Sequence, residues 1–290
     1  MCEGENGKIA GSCGSAAVIS PRQSGLAQFM PENNAAALPR ALTNARAAFR
    51  LSRVFLHVLY GATTVAAIYP LSSVAVRQRL KQRWSRQLLG MLGVSVPAAA
   101  SATPLPDGLL VSNHISWLDI FVINAVVPSA FVSKDDVKSW PILGWMSQRA
   151  DTIFIERGNR RAAHRTSEHL NDCLRRGQRV AIFPEGTTSD GHGVLPFHGA
   201  LLQAAVESEC RVQPLALSYR DRDGHISQAP TYIGDTSLLQ SLHAIASASG
   251  LRADPRFLAP VSAAGMDRRH LAATLHRHIS HALAGHAPAR

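Results

Sequence analysis

From residue 101 onward the chain repeats one pattern, a short apolar run followed by a turn and an amphipathic segment. The runs at 108–112, 130–133, 152–156, 179–183 and 212–218 have the length and residue types of strands. The segments at 117–126, 141–148, 160–176, 197–208, 236–248 and 267–284 carry helical spacing. Such alternation predicts an α/β domain built on a central mixed sheet flanked by helices. No internal repeat is present.

The first hundred residues read differently. Residues 1–45 are rich in Gly, Ser, Ala, Asn and Pro without periodicity, which predicts a flexible leader. No apolar core of a signal peptide follows the N-terminus closely. The stretch 54–76, VFLHVLYGATTVAAIYPLSSVAV, contains no Lys, Arg, Asp or Glu. As one helix it reaches roughly 34 Å, about one bilayer core. Gly61 and Pro70 weaken that helix, and Arg46, Arg50, Arg53, Arg77, Arg79, Arg83 and Arg86 flank it on both sides. Positive charge on both flanks suits a segment that dips into an anionic leaflet and returns. The alternative is a buried helix of a soluble domain. The expected division is therefore a leader (1–45), a membrane-associating helical segment (46–100) and an α/β domain (101–290).

Three of the predicted strands end in residues that can do chemistry. GLLVSNHISWLD places Asn113 and His114 at a strand's carboxyl end, with Asp119 in the first turn of the next helix. Open α/β sheets usually bind their ligands at that edge. A carboxylate on one imidazole nitrogen fixes the tautomer and leaves the other nitrogen free to take a proton. RVAIFPEGTTSDG ends a second strand with Glu185 and a Gly186 turn that admits close backbone approach. DTIFIERGNRR delivers Arg157, then Arg160 and Arg161, a grouping suited to an anionic head group. Each run alone also reads as a helix cap, an ordinary loop or a solvated charge cluster.

Together these runs resemble the glycerolipid acyltransferase family, the enzymes that acylate 1-acylglycerol-3-phosphate. The family's N-H-x-x-x-x-D block matches Asn113, His114 and Asp119. Its G-x-x-F-I-x-R block matches Phe154, Ile155 and Arg157. Its F-P-E-G-T-R-S block matches Phe183 to Thr187 with Ser189, and a later Pro-containing strand matches VQPLAL at 212–217. Order and spacing agree over residues 108–218.

The resemblance implies an O-acyltransferase in which His114 is the base and Asp119 orients it. Asn113, Arg157, Glu185, Gly186, Thr187 and Thr188 would help hold the substrate. The donor is acyl-CoA or an acidic acyl carrier protein, used as co-substrate, with no cofactor and no metal. The expected acceptor is a membrane lysolipid, first 1-acylglycerol-3-phosphate, giving phosphatidate for phospholipid biosynthesis. The enzyme would sit on an anionic membrane surface with its site on the cytoplasmic face of the inner membrane. Two departures bear on the acceptor. Asp151 stands where the family usually has Gly, and Thr188 where it has Arg. The F-P-E-G-T-T-S form looks closer to acyltransferases of lyso-ornithine lipid, so both acceptors remain open. A catalytically silent lipid-binding module is the reading from another class, and intact His114 and Asp119 argue against it.

Composition sets aside other classes. A net charge of +10 favours an anionic partner. Aromatics at 6% and the lack of a recognition motif argue against nucleic acid. Cys2, Cys13, Cys173 and Cys210 form no C-x-x-C pair, so neither a disulfide framework nor a zinc site is expected. His270, His276, His278 and His281 lack four-residue spacing and a carboxylate cluster, which makes metal binding a poor reading. The chain has no G-x-S-x-G elbow and no Walker A or dinucleotide glycine pattern.

Overall fold

Five parallel strands and two antiparallel ones build the sheet of the computed structural model, in the order β3-β2-β4-β1-β5-β6 with β7 also paired to β5. The structure describes residues 33–97, 102–134, 138, 142–150, 152–155 and 160–285. Strand β1 (Gly108–Ser112) lies between β4 (Arg179–Ile182) and β5 (Arg211–Arg220), parallel to both. Strands β2 (Ala130–Lys134) and β3 (Ile153–Ile155) extend the sheet beyond β4. All five residues of β1 are buried, which explains its unbroken apolar run. The α/β class and the mixed sheet match the sequence expectation.

Strands β6 (Arg252–Phe257) and β7 (Val261–Ser262) were not anticipated. RADPRF carries charges and a proline that mask its strand character. Its buried and exposed residues nonetheless alternate, and Pro255 pairs with Leu217 on an edge strand, where its missing N–H is tolerated.

The helices follow the predicted segments with one exception. They are α3 (Asp119–Val126), α4 (Leu143–Arg149), α5 (Arg160–Arg175), α7 (Leu238–Ser247) and α8 (Arg268–Ala284). The segment 197–208 is helical only as α6, Gln203–Glu207. Pro196 and Gly199 leave the residues before it as a loop running past the site.

The N-terminal region is a helical hairpin. Helix α1 (Asn33–Ala67) is followed by a single 3₁₀ turn (Tyr69–Leu71) and by α2 (Val74–Leu92). Residues 33–45, expected as leader, are thus helical, in keeping with their Ala and Leu content. Residues 1–32 lie outside the described residues. The charge-free stretch 54–76 is not one helix, because the chain breaks at Pro70 and restarts with Ser73 accepting a hydrogen bond from the Val76 amide.

Within residues 41–290, which form one unit, the hairpin has two faces. Ala47, Val54, Leu88, Leu89 and Leu92 are buried in a cluster with Ile115, Leu118 and Val122. Phe49, Phe55, Leu56, Leu59, Tyr60, Ile68 and Leu71 stay exposed. The helical stretch Arg40–Leu71 is long and apolar enough to cross a membrane, with only 28% of its most apolar window buried. A core helix of a soluble domain would be mostly covered, so the buried-helix alternative fits poorly.

The hairpin is also tied down by Arg and Gln side chains on helix ends. Arg50 Nη1 donates to the carbonyls of Ala246 and Ala248 at the end of α7, at 2.9 and 2.8 Å. Arg86 Nε donates to Ala125 O at 2.6 Å and Gln82 to Val126 O at 2.8 Å. Those are the last carbonyls of α3, where helix dipoles favour positive charge. Helix α3 is the one whose first residue is Asp119.

Candidate active site

The site lies at the carboxyl ends of β1, β4 and β5, the three central strands. Past Ser112 the chain leaves the sheet and turns into α3. His114, Ile115 and Ser116 then wrap around the side chain that opens the helix. Asp119 Oδ2 accepts from His114 Nδ1 at 2.8 Å, from the Ile115 amide at 2.7 Å and from the Ser116 amide at 3.0 Å. Asp119 Oδ1 accepts from the Tyr219 hydroxyl at 2.7 Å. The carboxylate is completely buried, yet both oxygens are satisfied, so burial does not leave a bare charge.

With Nδ1 engaged, His114 presents Nε2 outward. Its side chain is 19% exposed, and no described residue hydrogen-bonds Nε2. The ring stacks on Phe183 with centroids 4.0 Å apart and planes 10° from parallel. The imidazole plane is therefore fixed twice, by the carboxylate at its edge and by the aromatic face beside it.

The second motif holds the backbone of the first. Glu185 Oε1 accepts the His114 amide at 2.7 Å, and Oε2 accepts the Leu195 amide at 2.9 Å. Burial pushes the Glu185 carboxyl above its ordinary range, opposed in part by those two amide hydrogen bonds. Gly186 closes the turn, its amide bonded to Phe183 O at 3.1 Å, with a φ of +67° that favours glycine. Ser189 donates its amide (2.8 Å) and its hydroxyl (3.2 Å) to the carbonyl of His114.

These contacts assign positions to the predicted substrate-binding residues. Asn113 is fully buried and spans to β5. Its Oδ1 accepts the Leu217 amide at 2.8 Å and its Nδ2 donates to Leu217 O at 2.9 Å. Asn113 and Glu185, expected to hold substrate, thus have their polar atoms spent on backbone and face no open space. Gly186 and Thr187 are exposed in the turn after β4, and half-buried Thr188 donates its hydroxyl to the carbonyl of Tyr232. Arg157 lies outside the described residues, as does Asp151.

Tyr219 and Phe183 are the contributors that the sequence reading left without a role. Phe183 opens the F-P-E-G block in the sequence, where nothing marks it as the residue that stacks on the imidazole. Tyr219 follows the apolar run of β5, and a polar-tipped aromatic closing a fully buried central strand is a signal that it has a buried partner.

Among the described residues one group has metal-like spacing, Asp221, Asp223 and His225. The acidic pair is in an exposed turn where Asp221 already accepts from the amides of Asp223 and His225, at 3.0 and 2.9 Å.

Residues 99–218 match the family model described as Acyltransferase. The chain is 37% identical over 210 residues to a lyso-ornithine lipid O-acyltransferase of Pseudomonas aeruginosa, covering 72% of this chain and 80% of that protein. It is 39% identical over 195 residues to a 1-acyl-sn-glycerol-3-phosphate acyltransferase of Neisseria meningitidis, covering 67% and 76%. The fold resembles the crystal structure of the 1-acyl-sn-glycerophosphate acyltransferase PlsC of Thermotoga maritima, with a TM-score of 0.65 at 17% identity, covering 85% and 97%.

Proposed function

The chain belongs to the acyltransferase family, as a lysolipid O-acyltransferase, and from that premise we propose that His114 is its general base and 1-acylglycerol-3-phosphate its acceptor. The observation that carries the mechanism is the imidazole held at Nδ1 by a buried carboxylate, with Nε2 open.

His114 Nε2 takes the proton from the acceptor hydroxyl as the oxygen attacks the thioester carbonyl of acyl-CoA or acyl carrier protein. A C–O bond forms and the C–S bond breaks. The imidazolium returns the proton to the departing thiolate, so the base is regenerated and no acyl-enzyme is needed. Asp119 holds the tautomer and stabilises the imidazolium without itself changing protonation. Glu185 and Ser189 fix the His114 backbone, and Asn113 fixes β1 against β5. Gly186 and Thr187 are exposed in the turn that follows Glu185, and that turn would help hold the acceptor. The exposed face of α1 enters lipid and so brings the site to its acceptor. The site then works at the cytoplasmic face of the inner membrane, where thioester donors are made available.

The phosphate acceptor is supported by the net charge of +10, by Arg157 in the family's position, and by the Neisseria relative. A lyso-ornithine lipid acceptor is supported by the Pseudomonas relative and by position 188. Thr188 supplies a neutral hydroxyl already bound within the protein, where the family motif has Arg. One competition assay separates the two. Vesicles carrying both lysolipids receive one labelled donor, and the products are identified by mass spectrometry. Phosphatidate as the main product is expected. Acylated ornithine lipid alone sinks the phosphate reading.

A further inference from the structure

Strand β5 is joined to Asn113 at one point and to the catalytic pair at another. Leu217 is gripped by Asn113, and two residues further along the same strand Tyr219 reaches Asp119. Tyr219 is only 1% exposed, and its ring packs in the cluster that holds Ile115, Leu118 and Val122. Its hydroxyl has one hydrogen-bond partner, Asp119 Oδ1 at 2.7 Å, and is that oxygen's one partner among the described residues. Burial first, and the Asp119 charge second, push the phenol well above its ordinary range, so it remains a neutral donor wherever the enzyme works.

A carboxylate with only Oδ2 anchored can rotate about its last torsion, which is soft. Anchoring Oδ1 removes that freedom and keeps Oδ2 in line with Nδ1. The same hydrogen bond draws negative charge toward Oδ1. Less charge is then available to stabilise imidazolium, so the donor strength at Tyr219 sets how readily His114 holds a proton.

We propose that Tyr219 is a positioning residue of the acyl-transfer reaction, fixing the Asp119 carboxylate and tuning the basicity of His114 through it. The proposal rests on His114 being the general base. Among the described residues, the titratable groups facing the pair are Tyr219 from β5 and Glu185 from the turn after β4.

The test uses the full-length enzyme in vesicles, with kcat, KM and the kcat–pH profile measured for three variants. Tyr219→Phe should lower kcat about tenfold, the order expected for one hydrogen bond to a charged group, with KM little changed. It should also move the acidic limb of the profile to higher pH, because Asp119 regains charge. Site-specific 3-fluorotyrosine at 219 keeps the ring and strengthens the donor, so the limb should move to lower pH with the fold untouched. His114→Ala is the control. If it retains activity, the general-base reading fails and the proposal with it. If it is inactive while both Tyr219 replacements keep the wild-type profile and kcat, Tyr219 is only packing and the proposal alone is overturned. A lowered melting temperature with an unmoved profile has the same meaning.

Discussion

Glu185 Oε1 accepts the backbone amide of His114 at 2.7 Å, so the turn after β4 holds the end of β1 by its main chain. The other oxygen holds Leu195 at 2.9 Å, which ties in the loop before α6. A glutamine has one acceptor oxygen and one amide that clashes with an N–H donor. Glu185→Gln should therefore lose one anchor. The expected result is a fall in kcat of roughly 10- to 100-fold, matching one lost charged hydrogen bond of about 1.5–3 kcal/mol. A rise in KM alone, with kcat intact, would instead make Glu185 a substrate contact.

The same residue has a signature in stability against pH. The unfolded chain releases the Glu185 proton at about 4.3, the ordinary value, and the folded chain releases it higher. Between those values the folded state binds more protons, so stability falls as pH rises and stays lower above the window. Glu185→Gln has no such proton. Urea midpoints in mild detergent should fall for wild type relative to Glu185→Gln as pH climbs from about 4 through that window. A wild-type gain over the same range would show the opposite sign and remove burial as the dominant cause.

His114→Ala should lower acyl transfer by roughly two to four orders of magnitude, the usual worth of a general base, with the fold kept. Asp119→Asn should be severely impaired too. It loses the charge that supports imidazolium, and its amide must face either the Tyr219 hydroxyl or a set of three N–H donors. Wild-type turnover by Asp119→Asn would reduce Asp119 to a helix cap.

How much of this was legible beforehand differs by residue. His114 and Asp119 were legible because local chain geometry brings residues five apart together across one turn. The parallel strands were legible because β1 is apolar along its whole length. Strand β6 was not, since its role depends on pairing with β5 rather than on its own composition. The backbone contacts of Asn113 and Glu185 were not legible for a related reason. A polar residue next to a catalytic one looks the same in sequence whether it opens toward a ligand or turns inward to hold a strand, and the Leu217 and His114 partners are distant in sequence. Tyr219 escaped for the same cause, being 100 positions from its partner.

Membrane attachment should rest on the outer face of α1. Removing everything before residue 101 is a poor test, because Leu88, Leu89 and Leu92 are core and their loss exposes the far side of α3. Phe55→Ser, Leu56→Ser and Leu59→Ser together alter residues that are 63%, 64% and 40% exposed, so the fold should survive. Each such side chain contributes about 2 kcal/mol when buried in lipid. The triple variant should bind anionic vesicles at least about a hundredfold more weakly in flotation assays, with an unchanged melting temperature. Equal flotation would move the membrane contact elsewhere.

The acceptor turns on position 188. The Thr188 hydroxyl bonds the Tyr232 carbonyl, so it braces the turn after β4 against the neighbouring loop and offers no charge. A phosphate monoester carries about −1.5 to −2 charge and seeks forked cations. If 1-acylglycerol-3-phosphate is the acceptor, Arg157 is the family-placed source of that cation, with Arg160 and Arg161 following it. Arg157→Ala should then raise KM by roughly 10- to 150-fold, while Thr188→Arg should be tolerated or lower KM. A lyso-ornithine lipid brings its own ammonium group, and an arginine at 188 would repel it. Under that reading Thr188→Arg depresses turnover of the ornithine acceptor, and Arg157→Ala changes it little. Measuring KM for both lysolipids in wild type and the two variants decides the matter. The sign of the Thr188→Arg effect on each lysolipid is the discriminating quantity.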